Sequence, residues 1–571
     1  MKRELLRERP FYLNDEQIKW VEDTLEQMTE KEKIGQLFCL ISYSSEEKFL
    51  RELTEKYMVG GVMGRKMPVE EVHQMITTLQ ETSKIPMLIA ANFEAGGDGL
   101  IEEGTNVGPN LQVGATGDPQ FAYKQGYVCG KEGTAVGANW AFAPVIDIDN
   151  NFRNPIMATR LYGKDPKLVR DCGREYTKAV QQFDMAVSIK HFPGDGVDER
   201  DQHLVTSINS LSCEEWDRTY GEAYKACIEE GALTVMAGHI MMPEYSRKLC
   251  PGIKDEDIKP ATLAPELLQG LLREKLGFNG LIVTDATTMV GFTCVMDRKD
   301  AVPATIAAGC DMFLFTKNLE EDYAYMVEGV RSGVITKERL DEAVTRILAL
   351  KAALKLPEKK KAGTLVPSLE YAKSVVGCEE HRKIELECSD KSVTLVKGKE
   401  DIFPLDVNKY RRVLLYPIVS GENALGYDGG GDIADELKVA LEKAGFAVDV
   451  YEPSAGTEGM LHRYDELKEK YDLLLYAANM VTKSNQTVVR IEWAQPMGAN
   501  CPIYMNVIPT VFVSFANPYH LIDAPRVKTY INAYKFKAEN VQAVIDKMLG
   551  RSEFKGIDPV DSFCGMWDTK L

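Results

Sequence analysis

The chain has few histidines, seven in 571 residues, and no apolar run near the length a bilayer-crossing helix requires. Its N-terminus, MKRELLRERPFYLND, carries basic residues but no apolar segment of the secretory type, so an intracellular, cytoplasmic protein is expected. Cysteine pairing signals are missing too. The twelve cysteines are scattered singly, without a C-x-x-C pair or a Cys/His cluster at zinc spacing, and read as free thiols of a reducing compartment. Positive charge is in deficit, 68 Lys and Arg against 86 Asp and Glu. That balance argues against a nucleic-acid surface or an anionic membrane as partner and for a small or weakly charged ligand.

What is present is a rhythm. Short apolar runs alternate with longer amphipathic ones from residue 16 to about 355: VGGVM (59–63), PMLIAAN (86–92), WAFAPVID (140–147), AVSIK (186–190), LTVMAGH (233–239), LIVTDA (281–286) and DMFLF (311–315). Helical stretches such as 166–183, 214–231 and 265–278 separate them. Seven or eight β-α units of this kind imply a parallel sheet closed into a (β/α)8-type barrel over residues 1–355. A linker is expected over 356–385, opening with the charged, proline-flanked LPEKKKAGTLVP. A second series of strands, SVTLV (392–396), RRVLLYPIV (411–419), AVDVYE (447–452), DLLLYAANM (472–480) and TVFVSF (510–515), with helices at 432–445 and 538–550, predicts a smaller αβα sandwich over 386–571.

Three of the seven histidines fall between 191 and 239, and KHFPGDGVDERDQH (190–203) crowds titratable groups into a span with no helix or strand pattern. In a parallel barrel, chemistry gathers at the carboxyl ends of the strands. Lys190 and His191 end one candidate strand, His239 another, and Asp285 closes LIVTDA. A carboxylate ending so apolar a run is desolvated unless partners compensate, which favours function over a turn or N-cap role. Taken singly, His191 reads as a core histidine and His203 with Asp201 as a surface pair worth less than about 1 kcal/mol. Together with Pro193, Gly194 and Gly196, which shape a defined turn, they read as a site. Asp195, Asp198, Glu199 and Arg200 read as solvated loop charges. His239 either lines the pocket or braces the loop. GGG at 429–431 lacks the lysine and hydroxyl of a phosphate loop and reads as a helix entry.

KHFPGDG with D-Q-H beginning seven residues beyond Gly194, then LIVTDA after PATLAPELLQGLLREKLGFNG, resembles glycoside hydrolase family 3 and its β-N-acetylhexosaminidase branch. FAPVIDI followed by ATRLYGKDP (158–166) resembles a further stretch of that family, and the likeness spans most of 16–355. The resemblance implies Asp285 as a nucleophile that forms a covalent glycosyl-enzyme and His203 as general acid/base with Asp201 as its partner. It places Arg160, Lys190 and His191 on sugar hydroxyls. Where the family commonly has an aspartate followed by Q-E-G-G-R, this chain has NFEAGGD, so Asn92 is the aligned candidate for substrate binding and Gly97 replaces the arginine.

The chemistry fits those roles. Retaining glycoside cleavage needs a nucleophile on one face of the anomeric carbon and a proton donor beside the leaving oxygen. An imidazole, with an ordinary pKa of about 6.5, can donate near neutrality without the burial a glutamate would need. The mechanism calls for no metal or organic cofactor. The expected activity is exo-acting release of a terminal N-acetylglucosamine-type sugar from a carbohydrate substrate. Phosphorolysis with the same residues, β-glucosidase specificity and a silent sugar-binding protein are the alternatives. Oligomeric state is not legible.

Overall fold

The computed structural model describes residues 3–420, 433–453 and 463–571, so GGG at 429–431 lies outside the described residues. Contacts group the chain into two units. The first comprises Met1–Val107, Pro119–Ile148 and Pro166–Arg382; the second comprises Gly108–Asp118, Asp149–Asp165 and Lys383–Leu571.

Eight parallel strands form the first unit: β1 (Phe38–Ile41), β2 (Gly61–Met63), β3 (Leu88–Ala91), β4 (Trp140–Ala141), β5 (Ala186–Phe192), β6 (Thr234–Ala237), β7 (Leu281–Thr284) and β8 (Phe313–Leu314). They hydrogen-bond in the order β8-β1-β2-β3-β4-β5-β6-β7. A parallel bridge between Val283 and Met312, with Thr284 N–H donating to the Met312 carbonyl at 3.0 Å, brings the ends of that order together in a nearly closed barrel. Apart from Ile41, every strand residue is buried, which is why these strands read as continuous apolar runs without alternation. The run FCLI of β1 escaped the sequence reading. It begins two residues after the helix Glu30–Gln36 ends, so its apolar residues read as a continuation of that helix.

Around the strands the amphipathic stretches are helical, as at Pro166–Gln181. The 214–231 stretch is helical from Cys213 to Glu229 with a π-helical turn at Asp217–Gly221, and the 265–278 stretch is π-helical over Glu266–Lys275. The charged 356–367 segment opens with a short helix, Leu356–Ala362, followed by Leu369–Val375 and Glu379–Ser392.

Beneath the amino ends of β7 and β8 sits Asp311, fully buried, with Arg273 at 2.8 Å and Arg339 at 2.6 Å. It also accepts from the Ile282 N–H at 2.9 Å. Removing the carboxylate strands buried guanidiniums, so Asp311→Ala is expected to lose about 3–5 kcal/mol of stability in denaturant titrations. A loss below about 1 kcal/mol would show that the guanidiniums are satisfied without it.

The second unit holds a six-stranded sheet: β9 (Thr394–Gly398), β10 (Arg412–Val419), β11 (Ala447–Val450), β12 (Leu473–Asn479), β13 (Thr510–Ser514) and β14 (Thr529–Asn532). The order is β9-β14-β13-β12-β10-β11, parallel except for the antiparallel β9 to β14 pair. Both faces are buried. Leu473, Leu475 and Ala477 pack with the helices Ile433–Lys443 and Ala538–Met548 on one face, while Leu474, Tyr476 and Ala478 join Ile491, Tyr504 and Leu521 on the other. TYIN of β14 was not anticipated from sequence, since four residues give too little pattern to separate strand from loop.

Candidate active site

The loop leaving β5 runs across the carboxyl end of the barrel. Lys190 and His191 are its first polar residues, still within β5, and both are buried. His191 Nδ1 lies 2.7 Å from Asp147 Oδ2, and Asp147, fully buried, also accepts from the backbone N–H groups of His191 (3.2 Å) and Asp195 (2.7 Å). A carboxylate only accepts, so the Nδ1 of His191 carries the proton and Nε2 is the atom left for a ligand. Asp147 was missed as a site residue because it reads as the polar end of WAFAPVID; three bonds from one loop mark it as the loop's anchor.

The turn that follows is tightly held. Gly194 has φ +124°, and a Cβ there would stand 2.2 Å from the Tyr220 ring, so the position admits only glycine. Trp216 Nε1 donates to the Pro193 carbonyl at 2.7 Å, Asn209 to that of Gly194 at 3.0 Å, and the Tyr220 hydroxyl to that of Asp195 at 2.6 Å. Two of the presumed solvated charges are not solvated. Asp195 is buried and accepts from Gln202 Nε2 at 3.2 Å, and Asp198 binds the Ile208 N–H at 3.0 Å as well as Arg200. The turn folds back on itself, and these carboxylates supply its internal hydrogen bonds. Glu199 and Arg200 are exposed as expected.

At the end of the loop, His203 Nδ1 stands 2.7 Å from Asp201 Oδ1, which also accepts the His203 backbone N–H at 2.9 Å. Asp201 is buried and the His203 side chain is 29% exposed. Nδ1–H therefore points at the carboxylate and Nε2 is available for proton transfer. This segment is laced to the loop that carries Asp285: Val290 N–H donates to the His203 carbonyl at 3.0 Å, Gly291 N–H to that of Gln202 at 3.1 Å, and Thr206 Oγ1 to that of Gly291 at 2.8 Å.

Asp285 follows the last residue of β7, 9% exposed, and its Oδ1 accepts the Ala286 N–H at 2.7 Å. Burial opposes its charge, but the imidazoles of His191, His239 and His203, with that N–H, outweigh burial and hold the carboxyl below the usual carboxylate range. An ionised carboxylate within the field of three imidazoles is what a nucleophile at this position would need.

His239 is fully buried; its Nε2 is 3.0 Å from the Ala286 carbonyl and its Nδ1 3.1 Å from Thr262 Oγ1. A carbonyl only accepts, so Nε2–H donates and Nδ1 accepts from the threonine. Burial lowers the His239 pKa, which keeps the ring neutral near pH 7. With both nitrogens engaged it braces the Asp285 loop, and no ring nitrogen remains to bind a sugar hydroxyl.

Asn92, exposed just past β3, lies with Oδ1 3.5 Å from Lys190 Nζ, and Glu94 pairs with the same ammonium at 2.6 Å. Lys190 is thus paired with a carboxylate two residues beyond Asn92, a contact that the linear sequence does not reveal. Arg160 lies on the Asp149–Asp165 segment of the second unit, where its carbonyl accepts from Asn110 Nδ2 at 2.6 Å. The first unit alone therefore brings together Lys190, His191, Asp201, His203 and Asp285, with Asp147 and Glu94 behind them. Among the described residues one trio of possible metal donors, Cys378, Glu380 and His381, lies within 4.8 Å, on a different part of the chain. There Glu380 pairs with Lys131 and His381 with Glu132.

Residues 29–350 match the "Glycosyl hydrolase family 3 N terminal domain". The chain belongs to glycosyl hydrolase family 3. It is 50% identical over 562 residues to a "Beta-N-acetylglucosaminidase/beta-glucosidase" of Cellulomonas fimi, covering 98% of this chain and 99% of the relative. A "Beta-hexosaminidase A" of Pseudoalteromonas piscicida is 29% identical over 400 residues, 64% of each chain. Among solved structures, "Beta-glucoside phosphorylase BglX" superposes with a TM-score of 0.92 at 44% identity, covering all of both chains. A family 3 β-N-acetylglucosaminidase from Paenibacillus sp. str. FPU-7 superposes at 0.79 with 26% identity, over 94% of this chain and 99% of that one. This family 3 chain is accordingly a glycosidase-type enzyme.

Proposed function

We propose that the enzyme cleaves terminal β-linked N-acetylglucosaminides and glucosides with retention, through a glycosyl ester on Asp285. The observation that carries this reading is the Asp201–His203 pair, whose backbone is hydrogen-bonded to the loop bearing Asp285. In the first step an Asp285 oxygen attacks the anomeric carbon while His203 Nε2–H protonates the departing glycosidic oxygen. Asp201 stabilises the imidazolium before transfer and holds the tautomer after it. In the second step neutral His203 takes a proton from water, which displaces Asp285 and releases a sugar of β configuration. Lys190, His191, Arg160 and Asn92 are the proposed sugar-binding groups. The names of the C. fimi relative and the Paenibacillus structure support the N-acetylglucosaminide as substrate.

Phosphate as the second-step acceptor is a specific alternative, supported by the 44% identical phosphorylase. A carboxylate acid/base would face the incoming anion with a like charge, about 4 kcal/mol per pair of unit charges at 4 Å and an effective dielectric of about 20. An imidazole that has given up its proton presents none. The two acceptors separate cleanly with a β-N-acetylglucosaminide assayed in phosphate and in a phosphate-free buffer of equal ionic strength. Hydrolysis predicts equal rates and free β sugar in the first NMR spectra. A rate at least ten times higher in phosphate, with sugar 1-phosphate as the main product, would assign phosphorolysis.

A further inference from the structure

At the amino end of the barrel, opposite the candidate active site, a cavity of about 520 Å³ is lined by Arg9, Arg273, Arg346, Glu8, Tyr12 and Phe278, among others. Its floor belongs to the Asp311 cluster. Arg273, Arg339 and Arg346, with side chains only 9%, 12% and 7% exposed, share two carboxylates, Asp311 and Glu342. One positive charge is in excess. Burial, reinforced by Arg346, lowers the Arg273 pKa to about 9.

The hydrogen bonds locate the shortfall. Arg346 Nε donates to the Asn279 carbonyl at 3.3 Å and Nη1 to Glu342 at 2.6 Å, whereas Nη2 has no partner among the described residues. Arg273 uses Nη1 on the Phe278 and Gly280 carbonyls and Nη2 on Asp311, leaving its Nε without one. At the rim Arg9 is exposed, and its backbone carbonyl accepts from the side chain of Asn279, the residue whose own carbonyl takes Arg346 Nε. A guanidinium more than nine-tenths buried, with donors unspent and a cavity before it, is built to receive a planar or tetrahedral oxyanion.

We propose that this cavity is a binding site for a phosphate-class oxyanion, either inorganic phosphate or the phosphate of a phosphomonoester, held by Arg346 and Arg273 from below and Arg9 at the rim. Binding neutralises the excess charge and ties the N-terminal segment to the barrel floor, so the ligand acts as a stabilising effector and not as a reactant. The site is independent of the acceptor question at His203.

The test is a thermal-shift and calorimetric titration of the full-length enzyme with sodium phosphate and with glucose 6-phosphate, against chloride at matched ionic strength. Wild type is expected to show a saturable rise in Tm. Arg9→Glu, at an exposed position that does not threaten folding, is expected to weaken binding at least tenfold, and Arg346→Lys to weaken it while keeping the charge. His203→Ala should leave the signal intact, which distinguishes this cavity from phosphate bound at the candidate active site. Tighter binding of glucose 6-phosphate than of inorganic phosphate would assign the phosphomonoester, and the reverse the free ion. No saturable effect up to about 50 mM, roughly fifty times a Kd of 1 mM, overturns the proposal. So does a signal unchanged in Arg9→Glu or lost in His203→Ala.

Discussion

Asp285→Ala is expected to reduce turnover by on the order of 10⁴-fold or more, with a Tm within a few degrees of wild type. Among the described residues the side chain accepts one hydrogen bond, from the N–H of its own neighbour, Ala286, so truncation removes the attacking oxygen without opening the core. A 2-deoxy-2-fluoro glycoside, which slows both steps by destabilising positive charge at the anomeric carbon, should add one sugar to the wild-type chain on mass spectrometry, and the labelled peptide should contain residue 285. The pH profile carries the same assignment. A carboxyl held below the usual range stays ionised as pH falls through that range, so any loss of activity due to Asp285 must begin more acid than for an ordinary aspartate. Label on another peptide, or turnover within about tenfold of wild type in the variant, would remove Asp285 from the mechanism.

His203→Ala is expected to act selectively. For an alkyl or sugar leaving group, whose departing oxygen needs a proton, kcat/KM should fall about 10²- to 10⁴-fold. A dinitrophenyl glycoside departs as a stable phenolate and should lose far less in the first step. The stalled glycosyl ester then accumulates, so a burst of phenolate followed by a slow steady state is expected. Asp201→Asn should fall between the two, because an amide can hold the ring but cannot stabilise its protonated form. Its readout is the change in the pH profile, which a merely structural role would not produce. Equal slowing of both leaving groups by His203→Ala would argue against a proton donor at this position.

The amino-acid order alone carried the alternation of apolar and amphipathic runs, and with it the barrel and the sandwich beyond it. It also carried the cluster between Lys190 and His203 and the carboxylate after LIVT, because ordered motifs are local and survive without coordinates. Two short strands, FCLI and TYIN, stayed hidden, since four residues hold too little periodicity to be told from the helix or loop beside them. What only folding decided is which charges meet. Asp147 anchors the β5 loop from 44 positions away, Glu94 reaches Lys190 beside Asn92, and Asp195 turns inward to bond Gln202. The guanidinium of Arg273, on the helix Glu266–Lys275, meets those of Arg339 and Arg346, both on the helix Lys337–Ala353, around Asp311. Pairings of this kind depend on distances across a closed barrel, and a linear pattern of residues contains no information about which of its distant members a strand end will bring within hydrogen-bond reach.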